Sequence, residues 1–146
     1  MKLRKFLCPT DFSDNSLSGV RYALALARQL GGTLDLLHVH HVPFHHSDVN
    51  APTSVEALPD ELKAELERSL EDMVGELGAD AEGVKVTTSL RVGVPYEEIG
   101  AHVEATDPDV IVMSTLGRSG IARALLGSVT ERVLRLSGIP VLSVRA

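Results

Sequence analysis

The chain has 146 residues, of which 44% are hydrophobic, with one cysteine and a formal net charge of -6. Its length suits a single domain spanning residues 1–146, and the lone cysteine excludes an intramolecular disulfide framework and a zinc site of several thiolates. The acidic balance argues against general binding to nucleic acid or anionic membranes. Because no apolar run reaches the roughly 18 residues of a membrane span, we expect a cytoplasmic protein.

Short apolar runs alternate with amphipathic segments along the first part of the chain. Residues 6–8 are predicted to form a buried strand, and Ser13 is the predicted N-cap of the helix that follows. That helix is predicted to end at Gly31 and Gly32, where a left-handed cap costs little. A second strand is predicted over residues 33–40.

The same alternation continues after a loop that contains three prolines, at residues 43–59. A helix is predicted over residues 62–77, because its leucines share one face while the other face is acidic. Residues 84–90 alternate between inward positions and polar positions, which is typical of a strand with one covered face. Pro95 is predicted at the first position of the next helix.

The last part of the chain predicts a strand, a helix and a final strand. Residues 110–113 are apolar at every position, which indicates a central parallel strand buried on both faces. Ser128 and Glu131 have the spacing of a capping box, and Gly138 is the predicted C-cap of that helix. Residues 139–144 form the predicted fifth strand.

Five strands that alternate with four helices indicate an α/β fold. The expected arrangement is a parallel sheet with right-handed crossovers and helices on both faces. In such sheets, ligands bind beyond the carboxyl ends of the strands, where the strand order reverses. The residues that follow the predicted strands are therefore the first candidates for a functional site.

Two segments are expected at that edge, residues 9–13 after the first strand and residues 114–128 after the fourth. Small residues in the second segment would let the backbone approach a ligand closely, and the free N–H groups of the following helix suit phosphate. The small residues are Ser114, Gly117, Ser119, Gly120, Gly127 and Ser128. Taken alone, these glycines could equally serve ordinary turns.

Positive charge is concentrated in the last part of the chain. Residues 117–146 hold five arginines against one glutamate, a net charge of +4, which leaves -10 for the rest of the chain. This distribution is either an uneven surface or part of an anion site. Because two of the arginines, Arg118 and Arg123, lie among the glycines at the expected strand end, we favour a phosphate site.

The chain resembles the universal stress protein family over nearly its whole length. The resemblance is carried by FLCPTDFSDNS, LLHVH, GVPYEEI, DPDVIVMST and GRSGIARALLGSVTERVLRLSGIPVLSVR. Members of the ATP-binding branch share a motif of Gly, two residues, Gly, nine residues, Gly and then Ser or Thr. Gly117, Gly127 and Ser128 match this motif, whereas Ser114 stands at the first glycine position and Leu116 stands where histidine is frequent.

The resemblance implies a three-layer sandwich with a five-stranded parallel sheet of order 3-2-1-4-5, of the adenine nucleotide alpha hydrolase-like, Rossmann-like type. It implies ATP and Mg²⁺ as ligands and homodimers paired through the final strand. Expected neighbours of the adenosine are Pro9, Thr10, Asp11 and Val39. Expected neighbours of the ribose and phosphates are Gly117, Gly127, Ser128 and Val129, and the expected site also includes Met113, Ser114 and Arg118. Apolar edge residues for a dimer are Ile139, Val141 and Val144.

Asp11 has two interpretations that both stay open. Its carboxylate would repel a nearby triphosphate, so as a ligand contact it would face adenine or ribose donors, or reach phosphate through a divalent cation. Alternatively, it caps the first helix alongside Ser13. The two roles are compatible.

Histidines and the cysteine are further candidates for chemistry. The clustered histidines are His38, His40, His41, His45 and His46. Such a cluster can bind a transition metal or titrate near neutral pH, but the strand histidines fall on different faces and the last two fall in a loop, so we expect no metal site. Cys8 is interpreted as a small buried hydrophobe.

Three functions remain as hypotheses. The favoured one is an ATP-binding regulatory module in a stress response, whose occupancy alters its shape or its choice of a protein partner. The second is a nucleotide-free dimer that acts only through protein contacts, and the third is an ATP-cleaving or adenylyl-transferring enzyme. We assign no catalytic residue, because the loop lacks the lysine of a P-loop NTPase. Slow ATP hydrolysis, autophosphorylation and the choice among adenine nucleotides stay open.

Overall fold

The structure is a computed structural model that describes residues 1–42, 51–115 and 128–145. Within these stretches the strands are β1 (Lys5–Pro9), β2 (Thr33–His41), β3 (Lys85–Gly93), β4 (Val110–Ser114) and β5 (Val141–Val144). The helices are α1 (Asp14–Leu30), α2 (Asp60–Leu77), α3 (Pro95–Thr106) and α4 (Ser128–Leu136). Short 3₁₀ turns lie at Val55–Ala57 and Gly78–Ala81. The order and type of the predicted elements are confirmed.

The strands form one parallel sheet in the order β3-β2-β1-β4-β5, which confirms the expected order 3-2-1-4-5. β1 is central, with β2 on one side and β4 on the other. The chain winds outwards from β1 to β3 and then crosses back to β4, so the strand order reverses between β1 and β4. The carboxyl ends of these two strands therefore mark the edge where ligands bind in such sheets.

Helices cover both faces of the sheet, and β1 shows how the sequence divides its side chains between them. Phe6 and Cys8 join the core with α1 and α2, while Leu7 joins the core with α3 and α4. β4 alternates in the same way, which confirms that it is buried on both faces. Every helix of the described stretches falls short of the length and hydropathy needed to cross a bilayer.

The edge strand β3 differs from its prediction in two respects. It starts at Lys85 and continues to Gly93, and Thr88, a predicted inward position, is exposed. Its polar face, which was predicted to be uncovered, makes hydrogen bonds to β2: the hydroxyls of Thr87 and Ser89 donate to Asp35 at 3.2 Å and 2.9 Å. Local alternation could not reveal this contact, since Asp35 and β3 are far apart in the chain.

The end of α4 is formed by Ser137 and not by the predicted C-cap residue, Gly138. The predicted C-cap Gly138 does not have a left-handed φ, and the helix ends instead where the Ser137 N–H donates to the Val133 carbonyl at 2.8 Å and its hydroxyl accepts from the Ile139 N–H at 3.2 Å. The Glu131 carboxylate of the predicted capping box pairs with Arg135 at 2.8 Å. The final strand starts at Val141, two residues after its predicted start.

The ends of α1 follow the prediction, but its two glycines have different roles. Ser13 caps the start by accepting from the Ser16 N–H at 3.1 Å, and Gly31 caps the end with a φ of 64°. Gly32 is not left-handed. A Cβ added to Gly32 would lie 2.3 Å from the carbonyl oxygen of Arg4, so this position requires glycine because the backbones approach closely.

Asp109 ties the start of β4 to the start of β1. Its Oδ2 accepts hydrogen bonds from the N–H groups of Arg4 and Lys5, each at 2.8 Å, and its own N–H donates to the Lys5 carbonyl at 2.9 Å. The two N–H groups favour the charged form of the carboxyl and lower the pKa of Asp109 from its ordinary value.

We expect Gly32→Ala to lower the free energy of unfolding by at least about 2 kcal/mol, because the methyl group would overlap the Arg4 carbonyl. Gly75→Ala in α2 is the matched control, since nothing lies within 4 Å of the added Cβ and alanine favours helix by about 0.5–1 kcal/mol. Urea denaturation of both variants measures the difference. Equal stabilities would contradict the close approach at Gly32.

The stabilising effect of Asp109 should depend on acidic pH. Its folded pKa lies below its unfolded pKa, so the contribution is present above the ordinary value near 3.8 and is lost as the pH falls through the folded value. We expect the stability gap between the wild type and Asp109→Asn to be constant from pH 7 to about pH 5 and to shrink below about pH 4. Urea titrations across this range measure it, and a gap that stays constant down to pH 3 would be the contrary result.

Candidate functional site

The end of β4 is held between two helices at the edge where the strand order reverses. On one side, the Thr130 hydroxyl of α4 donates to the Ser114 carbonyl at 2.9 Å. On the other side, a Cβ added to Gly19 of α1 would lie 3.2 Å from the Ser114 nitrogen. The second turn of α1, the first turn of α4 and the end of β4 therefore meet at one place, beside the end of β1.

Gly19 was not identified as important from the sequence. It lies in the interior of α1, where glycine costs about 1 kcal/mol relative to alanine. A glycine inside a helical pattern commonly has a packing reason, and this signal could have identified it. In the structure, the missing side chain allows α1 to approach the backbone of Ser114.

The end of β1 and the turn after it contain three of the predicted site residues, Pro9, Thr10 and Asp11. Pro9 ends β1, and the buried Thr10 donates its N–H to the Leu37 carbonyl at 2.8 Å. The Thr10 hydroxyl lies 2.9 Å from the Ser16 hydroxyl. Asp11 Oδ1 accepts from the N–H of Ser13 at 3.0 Å and also from its hydroxyl. These bonds match the interpretation in which Asp11 supports the start of α1 alongside Ser13.

Three other predicted site residues share one hydrophobic cluster, on the sheet face covered by α3 and α4. Met113 is buried in that cluster, and Val39 and Val129 are half-buried against it. Ser128 is exposed at the first position of α4. The structure therefore brings the ends of β2 and β4 and the start of α4 to one side of the sheet. Gly117, Arg118 and Gly127 lie outside the described residues.

Two arginines of the basic segment make contacts on the surfaces of the helices. The Arg132 guanidinium lies over the Tyr96 ring of α3, with 4.8 Å between its Cζ atom and the ring centroid. Arg135 pairs with Glu131 within α4 at 2.8 Å. Since Arg118 and Arg123 lie outside the described residues, the predicted contribution of the arginines to an anion site depends on that part of the chain.

Cys8 and His38, which the sequence offered for thiol and metal chemistry, are both buried in the structure. Burial raises the pKa of the Cys8 thiol to about 12 through loss of solvation, so the reactive thiolate is scarce at neutral pH. His38 is buried, and its Nδ1 lies 2.8 Å from the Thr10 carbonyl oxygen. Across residues 1–42, 51–115 and 128–145, no three metal-binding side chains are grouped to hold an ion. His45 and His46 lie outside these ranges.

Comparison with known proteins gives matches along nearly the whole chain. The sequence profile described as the Universal stress protein family matches residues 2–145. Universal stress protein MJ0531 of Methanocaldococcus jannaschii is 36% identical over 143 residues, which cover 97% of this chain and 82% of that protein.

Solved structures share the fold. The structure of protein MJ0577, also from Methanocaldococcus jannaschii, superposes with a TM-score of 0.76 at 31% identity and covers 100% of this chain and 98% of its own. A universal stress protein from Archaeoglobus fulgidus in complex with dAMP superposes with a TM-score of 0.67 at 22% identity and covers 98% of each chain.

We expect Thr130→Val to lower the free energy of unfolding by about 1–2 kcal/mol, because it leaves the Ser114 carbonyl without this donor. Thr106→Val is the matched control, since the Thr106 hydroxyl donates to the His102 carbonyl within one helix and the residue is exposed. We expect its effect to stay below about 0.5 kcal/mol. Chemical denaturation measures both, and equal effects would contradict an anchoring role for Thr130.

Proposed function

The chain belongs to the universal stress protein family, and from this premise we propose that it binds ATP and acts as a nucleotide-dependent regulatory module in a stress response. The observation that carries the proposal is the position of the start of α4, which the Thr130 bond to Ser114 holds at the carboxyl end of β4. The residues just before that helix match the motif of Gly117, nine residues, Gly127 and Ser128. A glycine-rich approach to a helix N-terminus suits phosphate chemically.

In the proposed complex, adenosine and phosphates occupy different parts of this edge. Backbone N–H groups near Gly117, Gly127, Ser128 and Val129 hold the phosphates, with Arg118 as a further donor. Pro9, Thr10, Asp11 and Val39 border the adenosine, and Met113 and Ser114 lie between the two groups at the end of β4. The dAMP complex of the Archaeoglobus fulgidus protein supports an adenine nucleotide, because that protein has the same fold.

The hydrogen bonds of Asp11 favour a magnesium ion that is bound through the nucleotide over one that is bound by this carboxylate. Asp11 Oδ1 already accepts two hydrogen bonds from Ser13. We therefore assign Mg²⁺ to the phosphate oxygens of the bound nucleotide. When bound, the ion would neutralise phosphate charge, and the protein would contribute the backbone donors around it.

A binding role suits this edge better than an enzymatic one. The hydroxyls of Thr10 and Ser13 make local hydrogen bonds that shape the turn, and the Cys8 thiol is buried with a raised pKa. We therefore assign no catalytic residue. Binding would act by changing the surface at this sheet edge that a regulatory partner contacts.

We also propose a cytoplasmic homodimer paired through β5. Among the described strands, β5 is at the sheet edge and pairs with β4 alone. Ile139, Val141 and Val144 are half-buried against the core of their own chain, whereas Leu142 is 37% exposed. Leu142 is therefore the apolar side chain of this strand that a second copy would cover, together with the outer backbone groups of the strand.

Isothermal titration with MgATP and native mass spectrometry of the purified protein test the proposed function. We expect Gly127→Glu to abolish ATP binding while the circular dichroism stays unchanged, because a carboxylate and its bulk would oppose the phosphates. Gly75→Glu is the matched control, since it makes the same substitution at an open position in α2 and should leave binding intact. Unchanged ATP affinity in Gly127→Glu would refute the site, and turnover with an acceptor would favour the enzyme hypothesis.

A further inference from the structure

Near the ends of β1 and β2, three residues contact one another pairwise: Thr10, Phe12 and His38. We name this group the His38 clamp. His38 Nδ1 lies 2.8 Å from the Thr10 carbonyl oxygen, in a buried contact. The Phe12 N–H donates to the Thr10 hydroxyl at 3.1 Å. The rings of Phe12 and His38 stack, with their centroids 4.2 Å apart and their planes 30° apart. Each member therefore contacts both of the others.

Phe12 has a backbone conformation that needs such support. Its φ is 66°, in the left-handed region that residues with a Cβ rarely occupy. A phenylalanine stays there only when surrounding contacts favour that conformation over the alternatives. The contacts present are the stack on His38 and the bond to the Thr10 hydroxyl.

His38 connects this turn to a strand that is paired on both sides. It lies in β2, which pairs with β1 on one side and β3 on the other, and only 7% of the residue is exposed. Since a carbonyl oxygen only accepts hydrogen bonds, Nδ1 of His38 carries the proton and donates to Thr10. The sheet therefore determines the direction of the Thr10 carbonyl.

Asp11 lies between the two clamped neighbours. Its preceding peptide is planar and trans, so the Asp11 N–H points opposite to the Thr10 carbonyl and away from His38. The following residue, Phe12, is held by the ring stack. His38 therefore orients the residues on both sides of Asp11, through the bond to Thr10 and the stack on Phe12. The Asp11 carboxylate itself is oriented by its hydrogen bond from the Ser13 N–H.

We propose that His38 is a positioning residue, which holds residues 10–13 in one conformation and thereby sets the affinity for the adenine nucleotide. This inference rests on the proposed function, because the turn would border the adenosine. His38 acts through Thr10 and Phe12 and does not itself touch the nucleotide. Loss of its donor frees the Thr10 carbonyl to rotate, and the loop must then be ordered again when the ligand binds.

Two substitutions of His38 separate the hydrogen bond from the bulk of the side chain. We expect His38→Leu to weaken ATP binding about tenfold, since it removes the donor to Thr10. His38→Asn places an amide donor close to the position of Nδ1 but lacks the ring that stacks on Phe12, so we expect it to recover only part of the affinity lost in His38→Leu. Leu34→Val, four residues earlier in the buried part of β2, is the control for general destabilisation and should leave affinity unchanged. Isothermal titration measures affinity, and thermal melts measure stability.

Hydrogen exchange of the Phe12 amide tests the clamp without any ligand, because this N–H donates to Thr10. We expect His38→Leu to accelerate its exchange at least about tenfold and His38→Asn to accelerate it less, because the asparagine keeps the donor to Thr10 but not the ring stack. If the wild type binds ATP and His38→Leu matches it in both affinity and exchange, the inference is wrong and the proposed function stands. If the wild type takes up no adenine nucleotide, the proposed function and the affinity role fail together, and exchange alone then decides whether His38 holds the turn.

Discussion

The close approach of α1 and α4 to the end of β4 is the constraint on which the rest of this structure depends. Ser114 is confined on one side by a helix that lacks a side chain at Gly19 and on the other by the Thr130 hydroxyl. Because β4 pairs directly with β1, this confinement also places the turn after β1. A bulkier residue at Gly19 would separate α1 from β4 and widen the edge where the strand order reverses.

Around that edge, polar side chains support the backbone of the turn through local hydrogen bonds. Asp11 and Ser13 bond to each other, and the Thr10 hydroxyl joins Ser16 to the turn. The same bonds make the turn rigid, which suits a binding site because less conformational freedom is lost when a ligand arrives.

Much of the fold could be predicted from the sequence, because strands and helices are encoded by periodicity and by their ends. The apolar run at residues 110–113 predicted a strand buried on both faces, and Ser13 and Gly31 predicted the ends of α1. The predictions were wrong where a side chain had two ways to be satisfied. Ser137 ends α4 in place of the predicted Gly138, because its hydroxyl accepts a hydrogen bond from the Ile139 N–H. For the candidate site, the sequence indicated which strand ends to consider, while the roles of Gly117, Arg118 and Gly127 stay predictions.

The sequence by itself determined the types and order of the elements and the family, since these depend on residues that are near one another in the chain. Only the tertiary structure decided that Gly32 is needed for the Arg4 carbonyl, that Gly19 admits α1 to Ser114, and that His38 bonds to Thr10. The physical reason is the right-handed crossovers of a parallel sheet, which bring together residues from separate strands and helices. Such contacts depend on distances between backbones, and a local pattern can mark a residue such as Gly19 without showing which backbone it approaches.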